Sequence, residues 1–268
     1  MSFYVNRKGE LEYLSSDALD GAAHCFSTRF GGVSEGVLAS LNLGVHRGDR
    51  PANVWENYRR LGAAVGFDPK NTVFTKQVHS DIVQRVGKQD CGRGLVYPVG
   101  TACDGLVTNE PDVALTVFSA DCTPVLLYDP VAQAIGAAHA GWRGTAAGIA
   151  ARTVEAMQRE FGCRPQDIRA AVGPCISQCC FETDADVPQA MRSALGEEAE
   201  CAIRPSGEKY YVNLKKLNAL WLARAGVTQI DIADDCTACQ PQRFWSHRRV
   251  GNSRGSLAAV IMLRRTEE

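Results

Sequence analysis

Three residues of metal-binding type stand where apolar segments of the chain end. His79 follows one such segment, Cys122 separates two others, and His139 ends a fourth. Functional side chains are commonly presented at strand ends and in the turns beside them. Two imidazoles and a thiolate form the three-ligand set of a catalytic zinc, which keeps a fourth position open for water. The intervals along the chain are long, so spacing alone leaves open a simpler interpretation with two hydrogen-bonded histidines and a buried thiol.

The elements that must position these residues are predicted from the hydrophobic pattern. Short apolar runs that are rich in β-branched residues and bounded by Gly, Pro or Asp predict β-strands. Such runs cover residues 71–74, 106–108, 113–118, 125–128, 134–138, 168–172, 229–233 and 257–263. Most of them lie in the middle of the chain, around the three candidate ligands.

Apolar residues at helical spacing predict helices at 53–65, 144–161, 186–195 and 213–225. Asn53 and Asn213 are predicted N-caps, and Gly162 is a predicted helix stop. Because strands cluster and helices are interspersed, the predicted fold is α+β, a single domain over residues 1–268 with mixed β-sheets layered with flanking α-helices. No GxGxxG or GxxxxGK[ST] phosphate loop is present.

The composition excludes several classes of function. The 29 Lys and Arg residues balance 30 Asp and Glu residues, which excludes a strongly basic nucleic-acid-binding protein. No apolar run approaches the roughly 18 residues of a membrane span, and the first ten residues lack the apolar stretch of a secretory signal. We therefore expect a cytoplasmic protein, a monomer or small homo-oligomer, with no nucleic-acid or membrane partner.

The cysteines are numerous and odd in number. Eleven cysteines without a secretion signal favour reduced thiols over a disulfide framework. Cys236 and Cys239 have the spacing of half a zinc knuckle, and Cys175 with Cys179 or Cys180 offers the other half. A structural zinc site is thus an alternative use of these thiols.

Motifs along nearly the whole chain resemble those of the YfiH/laccase-domain family. The His-Ala-Gly-Trp-Arg-Gly block that begins at His139 is a highly specific match. The other matching stretches are residues 28–34, 40–44, 76–79, 104–108, 120–125, 173–176, 179–182, 236–237 and 244–249.

This resemblance implies both a fold and a function. It implies a CNF1/YfiH-like α+β domain and a zinc site made by His79, Cys122 and His139. It also implies a purine nucleoside phosphorylase that deaminates adenosine and cleaves methylthioadenosine. The expected partners are purine nucleosides and phosphate, and the expected cofactor is zinc, with copper as the alternative metal.

Deamination requires a water molecule made nucleophilic at neutral pH and directed at C6 of the purine. Bound zinc lowers the pKa of water to about 7, and a nearby carboxylate then helps to move protons. Asp121, adjacent to Cys122, and Asp104 are the candidates, although either also has the chemistry to cap a turn. The candidate catalytic residues are Cys122, Asp121 and Arg143.

Phosphorolysis requires an anion site beside the glycosidic bond. Arg143 lies in a turn before a predicted helix, whose free backbone N–H groups attract anions. Arg47 and Arg248 have planar guanidinium donors that suit phosphate and are further candidate substrate-binding residues. Asn42 is predicted either to orient a substrate or to hold a loop. The roles of His46 and His247 stay open.

Three other classes of function use the same residues. A cysteine hydrolase would use Cys122 as nucleophile with His79 or His139 as base. A copper-binding polyphenol oxidase follows from the family label, although five histidines are too few for a four-copper array. A binding module without catalysis is the third alternative.

Overall fold

The computed structural model describes residues 2–265, and β-strands dominate this part of the chain. All eight predicted strands are present, with ends that differ from the prediction by at most two residues. The strands are β1 (Phe3–Lys8), β2 (Leu11–Ser16), β3 (Ala22–Ser27), β4 (Thr72–Phe74), β5 (Val83–Arg85), β6 (Gly105–Thr108), β7 (Ala114–Ser119), β8 (Thr123–Asp129), β9 (Ala134–Ala140), β10 (Arg169–Val172), β11 (Glu182–Thr183), β12 (Ile203–Ser206), β13 (Lys209–Val212), β14 (Gln229–Ile232) and β15 (Leu257–Leu263).

The helices are α1 (Pro51–Val65), α2 (Trp142–Ala146), α3 (Ile149–Phe161), α4 (Asp186–Leu195), α5 (Leu214–Arg224) and α6 (His247–Val250). The predicted N-cap Asn213 is confirmed, because its side chain accepts a hydrogen bond from the Lys216 N–H. The predicted N-cap Asn53 is wrong: α1 begins at Pro51, whose ring sets the backbone φ that a first helical residue needs.

The predicted helix at 144–161 is divided into two. Gly148 has φ 78°, in the left-handed region that glycine tolerates, and it separates α2 from α3. The stop at Gly162 is confirmed, since this residue is the C-cap of α3 with φ 69°. The division matters for the site, because the short helix α2 begins at Trp142, two residues after the end of the strand that carries His139.

Two six-stranded sheets form the centre of the fold. The first has the strand order β1-β2-β3-β15-β7-β4, with only the β4–β7 pair parallel. The second has the order β14-β10-β8-β9-β6-β5, in which the two outer pairs are parallel and the inner pairs are antiparallel. A small sheet of order β11-β13-β12 lies beside them.

The two large sheets pack face to face. Their shared core includes Phe26 and Leu115 from the first sheet and Leu126 and Ile135 from the second, all almost fully buried. The outer face of the second sheet is covered by α3 and α5, and that of the first by α1. The predicted α+β fold of mixed sheets layered with flanking helices is confirmed.

The pattern of apolar runs missed the strands near the start of the chain. β2 and β3 are buried along their whole length, yet they contain Glu12, Ser15, Ser16 and His24. These polar groups are satisfied internally; for example, the Ser16 N–H donates to His24 Nε2 at 3.0 Å. A buried strand that carries paired polar groups does not produce the apolar run used for prediction. Within residues 2–265, no helix combines the length and hydropathy of a membrane span.

Candidate metal centre and substrate pocket

One end of the second sheet gathers the residues singled out for chemistry. Strands β6 and β8 both pair antiparallel with β9, so β6 and β8 begin where β9 ends. Asp104 precedes β6, Cys122 precedes β8, and His139 is the penultimate residue of β9. The loop that carries His79 leads into β5, which runs parallel to β6 and therefore starts at the same edge. Sheet pairing thus brings together side chains that are distant in the sequence.

His79, Cys122 and His139 form one compact cluster. Cys122 Sγ lies 3.7 Å from His79 Nε2, and the two imidazole rings are 4.9 Å apart between centroids, at 74° to one another. One ligand atom from each of the three residues lies within 4.8 Å of the others. His139 is buried, Cys122 is partly exposed and His79 is exposed, so the cluster opens to solvent on one side. The donor set fits a three-ligand metal site with an open position.

A single buried carboxylate holds both histidines, His139 through its ring and His79 through its backbone. Asp104 Oδ1 accepts a hydrogen bond from His139 Nδ1 at 2.8 Å and another from the His79 backbone N–H at 3.1 Å. Its Oδ2 accepts from the backbone N–H groups of Val78 and Ser80 and from the Ser80 hydroxyl. The carboxylate therefore places the proton of neutral His139 on Nδ1 and leaves Nε2 free to bind a metal. This positioning role is more specific than the sequence-based suggestion of a general acid or base.

The backbone of His79 needs this support. Its φ is 63°, a left-handed conformation that non-glycine residues adopt only where the surroundings hold them. Such strain costs about 1–3 kcal/mol and is typical of functional sites. The three backbone N–H bonds to Asp104 around His79 supply the restraint.

The charges of the cluster are strongly coupled. Burial opposes ionisation of Cys122, but the charge of His139 and hydrogen bonds from both imidazoles outweigh it and lower the pKa of the thiol to about 6. Burial likewise opposes the charge on His139, but the Cys122 thiolate and Asp104 raise its pKa to about 9. Although burial of Asp104 opposes its charge, hydrogen bonds from His139 and Ser80 lower its pKa to about 2. The directions of these pKa shifts favour a thiolate on Cys122 and an imidazolium on His139 in the metal-free cluster, with the Asp104 carboxylate beside them.

A pocket of about 330 Å³ adjoins the cluster. His79, Cys122 and Asp121 contribute polar groups to its lining, and Trp142, Ile176, Phe181 and Leu214 contribute apolar side chains. Ala120, His247, Arg248 and Arg254 also line it. The volume lies at the lower end of the range for small-molecule sites, about 300–1,000 Å³. Its mixture of an apolar wall and cationic groups suits a ligand with a flat ring and a negative charge.

Arg254 was missed by sequence reasoning. Its side chain is only 9% exposed, Nη1 donates to the Gly255 carbonyl, and Nε is buried with no hydrogen-bond partner among the described residues. Burial and the nearby Arg47 lower the pKa of its guanidinium to about 10. Arg254 lies in a polar turn outside every motif quoted above, so only its buried position in the pocket reveals it.

Asp121 and Arg248 form part of the pocket wall. Both Asp121 oxygens accept hydrogen bonds: Oδ1 from the Thr237 hydroxyl, and Oδ2 from the Ser246 hydroxyl and the Arg248 N–H. These three bonds leave one acceptor position of the carboxylate, on Oδ1, without a protein donor among the described residues. The Arg248 guanidinium donates to the carbonyls of Cys180 and Glu182, which also leaves it at the rim of the pocket.

The remaining predicted site residues do not line this pocket. Asn42 is fully buried, and its amide is engaged with Gly44, Asp49 and Ser256, which corresponds to the loop-holding alternative. Arg47 and His46 line a separate cavity of about 570 Å³. Arg143 is exposed, with its guanidinium 4.2 Å from the centroid of the Trp142 ring.

With this site in view, the class of the protein can be stated. The family of "multi-copper polyphenol oxidoreductase laccase" domains matches residues 23–264, and the chain belongs to this family, the YfiH/laccase-domain family of the sequence analysis.

The chain is also similar to individual proteins with known names and to a solved structure. Purine nucleoside phosphorylase YlmD of Geobacillus stearothermophilus is 39% identical over 247 residues, which cover 90% of each chain. A purine nucleoside phosphorylase of Deinococcus radiodurans is 42% identical over 245 residues, covering 91% of this chain and 90% of the relative. The crystal structure of the Geobacillus YlmD superposes with a TM-score of 0.92 at 36% identity, over 97% of this chain and 99% of that one.

Proposed function

We propose that this protein is a metal-dependent purine nucleoside phosphorylase. The observation that carries the proposal is the His79–Cys122–His139 cluster facing a pocket with an apolar wall and the buried guanidinium of Arg254. Relatives 37–42% identical over about nine-tenths of the chain bear the same functional name, which supports this activity.

The metal that we propose is zinc, held by His79, Cys122 and His139. Two neutral imidazoles and a thiolate are ligands that zinc binds in catalytic sites. Zinc in such a set acts as a Lewis acid and makes water nucleophilic at neutral pH. Asp104 contributes by fixing the proton of His139 on Nδ1 and by holding the His79 backbone. The protein thus supplies a ligand set held in place by Asp104, of which His79 and Cys122 line the pocket.

In phosphorolysis, a phosphate oxygen forms a bond to the ribose C1′ while the bond from C1′ to the purine nitrogen breaks. The purine leaves with the electron pair and takes up a proton, and ribose 1-phosphate is the second product. Arg254 is the residue we assign to phosphate, because its buried Nε–H has no hydrogen-bond partner within residues 2–265 and its charge compensates the anion. Trp142 and Phe181 would pack against the purine ring.

Two finer activities belong to the same proposal. Deamination of adenosine replaces the C6 amine with the oxygen of water and releases ammonia, and cleavage of methylthioadenosine follows the phosphorolysis route. Asp121 and Cys122 border the pocket where the base would lie. Asp121 remains a predicted proton-transfer residue, with its hydrogen bonds to Thr237 and Ser246 giving it a positioning role as well.

Product analysis by mass spectrometry tests the proposal. Adenosine with phosphate and zinc-loaded protein should give the free base and ribose 1-phosphate, whereas without phosphate only inosine should appear. A chelator and the Cys122→Ala substitution should each abolish both reactions. A metal-loaded protein that forms no ribose 1-phosphate from any purine nucleoside would refute the phosphorylase assignment.

A pair of arginine variants distinguishes the two candidate phosphate sites. Arg254→Ala should raise the KM for phosphate at least tenfold, since it removes a buried cation from the pocket. Arg143→Ala removes an exposed arginine that does not line the pocket, and it should leave this KM within about twofold if the assignment to Arg254 holds. The opposite result would return the phosphate site to Arg143, as the sequence predicted.

A second candidate function is a cysteine hydrolase with Cys122 as nucleophile. The thiolate–imidazolium pair that lowers the pKa of Cys122 to about 6 favours it. Metal-free protein that hydrolyses an amide or ester, and loses this activity on alkylation of Cys122, would support the hydrolase. Recovery of nucleoside cleavage only on addition of zinc would exclude it.

The copper oxidase suggested by the family name requires several copper sites with imidazole or thiolate ligands. In residues 2–265, one candidate cluster has two imidazoles and one thiolate, and the other has four thiolates. This ligand set does not match a four-copper array. We also propose, as the sequence predicted, a cytoplasmic monomer or small homo-oligomer that uses small-molecule substrates.

A further inference from the structure

Four cysteines form a second cluster beside the pocket, separate from the His79 site. Cys179 and Cys180 lie in the loop after β10, and Cys236 and Cys239 lie in the loop after β14. Because β10 and β14 are parallel neighbours, their carboxyl ends meet at the same edge of the sheet. The four sulfur atoms lie within 4.8 Å of one another.

The distances between these sulfur atoms suit a shared metal. Four sulfurs arranged as a tetrahedron around zinc at about 2.3 Å lie about 3.8 Å apart. Cys180 Sγ is 3.8 Å from Cys179 Sγ and 3.4 Å from Cys239 Sγ, and Cys179 Sγ is 3.5 Å from Cys239 Sγ. A disulfide requires about 2.05 Å and joins a single pair, whereas Cys239 lies almost equally close to two sulfurs.

We propose that Cys179, Cys180, Cys236 and Cys239 bind one zinc ion as a structural tetrathiolate site. Four thiolates form the closed ligand set of structural zinc sites, in contrast to the open three-ligand set at His79. This site is independent of the proposed function, since it shares no ligand with the cluster that faces the pocket.

The surroundings compensate the negative charge of such a site. The Ser177 backbone N–H donates to Cys236 Sγ at 3.3 Å, a bond that favours a thiolate. Three cationic side chains also donate to backbone carbonyls of the two loops: Arg248 to Cys180, Lys215 to Asp235, and Arg249 to Ala238. Zinc with four thiolates carries two net negative charges, and cations bound to the backbone of the same two loops would partly offset them.

The structure also corrects the ligand set suggested by the sequence. Cys175 does not belong to the cluster: it is fully buried, and its thiol donates to the Ile176 carbonyl. The adjacent pair Cys179 and Cys180 takes its place. Since Ile176 and Phe181 line the substrate pocket, a metal that joins the two loops would stabilise one wall of that pocket.

Metal content per chain tests the site. Reduced wild-type protein, produced with added zinc, should contain two zinc ions per chain by mass spectrometric metal analysis. Cys239→Ser and Cys179→Ser alter exposed thiols of the cluster, and each variant should contain one zinc ion per chain. Cys201→Ser alters an exposed thiol outside the cluster, and this variant should still contain two zinc ions. Cys122→Ala should lose the zinc ion at the His79 site and keep the zinc ion at the four cysteines.

A spectroscopic measurement tests the four-cysteine site without altering its cysteines, in case the serine variants fold poorly. Cobalt-loaded Cys122→Ala protein lacks the thiolate of the His79 site, so any sulfur-to-metal charge-transfer absorption should come from the four cysteines. One zinc ion per wild-type chain that survives Cys239→Ser and is lost with Cys122→Ala would overturn the tetrathiolate site. A disulfide that persists among the four cysteines under reducing conditions would also overturn the tetrathiolate site. If the zinc were lost with Cys239→Ser but not with Cys122→Ala, the tetrathiolate site would stand and the metal proposed at His79 would fail.

Discussion

At the scale of single residues, the site depends on one carboxylate as much as on the three ligands. Asp104 is fully buried, and it binds both the His139 ring and the backbone around His79. Ligand-orienting groups of this kind set the tautomer and direction of a metal-binding histidine. The carboxylate also supplies the negative charge that keeps a buried imidazole basic, which connects the geometry of the site to its dependence on pH.

Asp104→Asn should weaken metal binding at the His79 site about 10- to 100-fold. An asparagine preserves the size of the side chain but removes the charge and one acceptor oxygen. Competition with a chromogenic chelator would measure the change. Asp184→Asn, at an exposed residue paired with Lys209, is the matched control and should leave the affinity unchanged. Equal affinities in the two variants would contradict the role of Asp104.

Metal affinity at this site should fall as pH is lowered. His139 has a raised pKa of about 9 in the metal-free cluster, so below pH 9 binding must release its proton. Cys122, with a lowered pKa of about 6, is already a thiolate above that pH. The affinity should therefore drop at least about tenfold per pH unit from 9 to 6, and more steeply below 6.

This pH dependence is best measured in Cys239→Ser protein, so that only the His79 site is titrated. The range from pH 9 to pH 6 is bounded by the pKa of His139 at its upper end and by the pKa of Cys122 at its lower end. An affinity that stays constant between pH 9 and pH 6 would show that His139 is not protonated in the metal-free protein, and would contradict the thiolate–imidazolium pair.

At the scale of elements, the site is an edge of a sheet where loops converge. The starts of β6 and β8 and the end of β9 bring Asp104, Cys122 and His139 together. The carboxyl ends of β10 and β14 add the two cysteine loops. The first sheet contributes Arg254 just before β15, which pairs with the end of β7. The loops at this edge must leave space for the side chains of the metal-binding cluster.

Gly141→Ala tests how tightly these elements meet. A Cβ at Gly141, the N-cap of α2, would lie 2.4 Å from His79 Cδ2 and 3.2 Å from Cys122 Sγ. Its backbone φ of −66° is open to alanine, so the cost arises at the site and not in the turn. We expect at least a tenfold loss of both metal affinity and kcat/KM, with an unchanged circular dichroism spectrum.

Gly100→Ala provides the control for that experiment. Gly100 is exposed, and a Cβ there would meet nothing within 4 Å, so metal affinity should be unaffected. Wild-type affinity in the Gly141→Ala protein would show that His79 and Cys122 shift without cost, and that the geometry at this edge is looser than the distances indicate.

At the scale of the whole molecule, the face-to-face core of the two large sheets holds the site edge in place. Leu126 of β8 lies in this core and is fully buried. The same strand begins next to Cys122, so packing along β8 anchors a ligand without touching it. The middle of β8 therefore contributes to the stability of the whole fold, whereas the residue just before β8 contributes to metal binding.

Leu126→Ala should lower the free energy of unfolding by about 2–5 kcal/mol, from the lost apolar contacts and the cavity left behind. Denaturant unfolding of zinc-loaded protein would measure the change, and zinc content in native buffer should stay at the wild-type value. Val131→Ala, at a residue that is 69% exposed, should change stability by less than about 0.5 kcal/mol. A loss of similar size in both variants would contradict the assigned core.

The sequence by itself determined many of the elements and the types of ligand, although it missed the polar strands near the start of the chain. The strands around His79, Cys122 and His139 were predictable because apolar periodicity is a local property that burial in a sheet imposes on each segment. The motif that begins at His139 carried the family resemblance, and the helix stop at Gly162 followed from glycine's tolerance of positive φ.

Only the tertiary structure decided which of these residues meet. It brought Asp104 to the ring of His139 and the backbone of His79, placed Arg254 in the pocket and Arg143 outside it, and replaced Cys175 by Cys180 in the thiol cluster. These relations depend on which strands pair and in which direction, and pairing is set by contacts between segments distant in the chain. No local pattern records such contacts, because each segment's own periodicity is the same whichever neighbour it acquires.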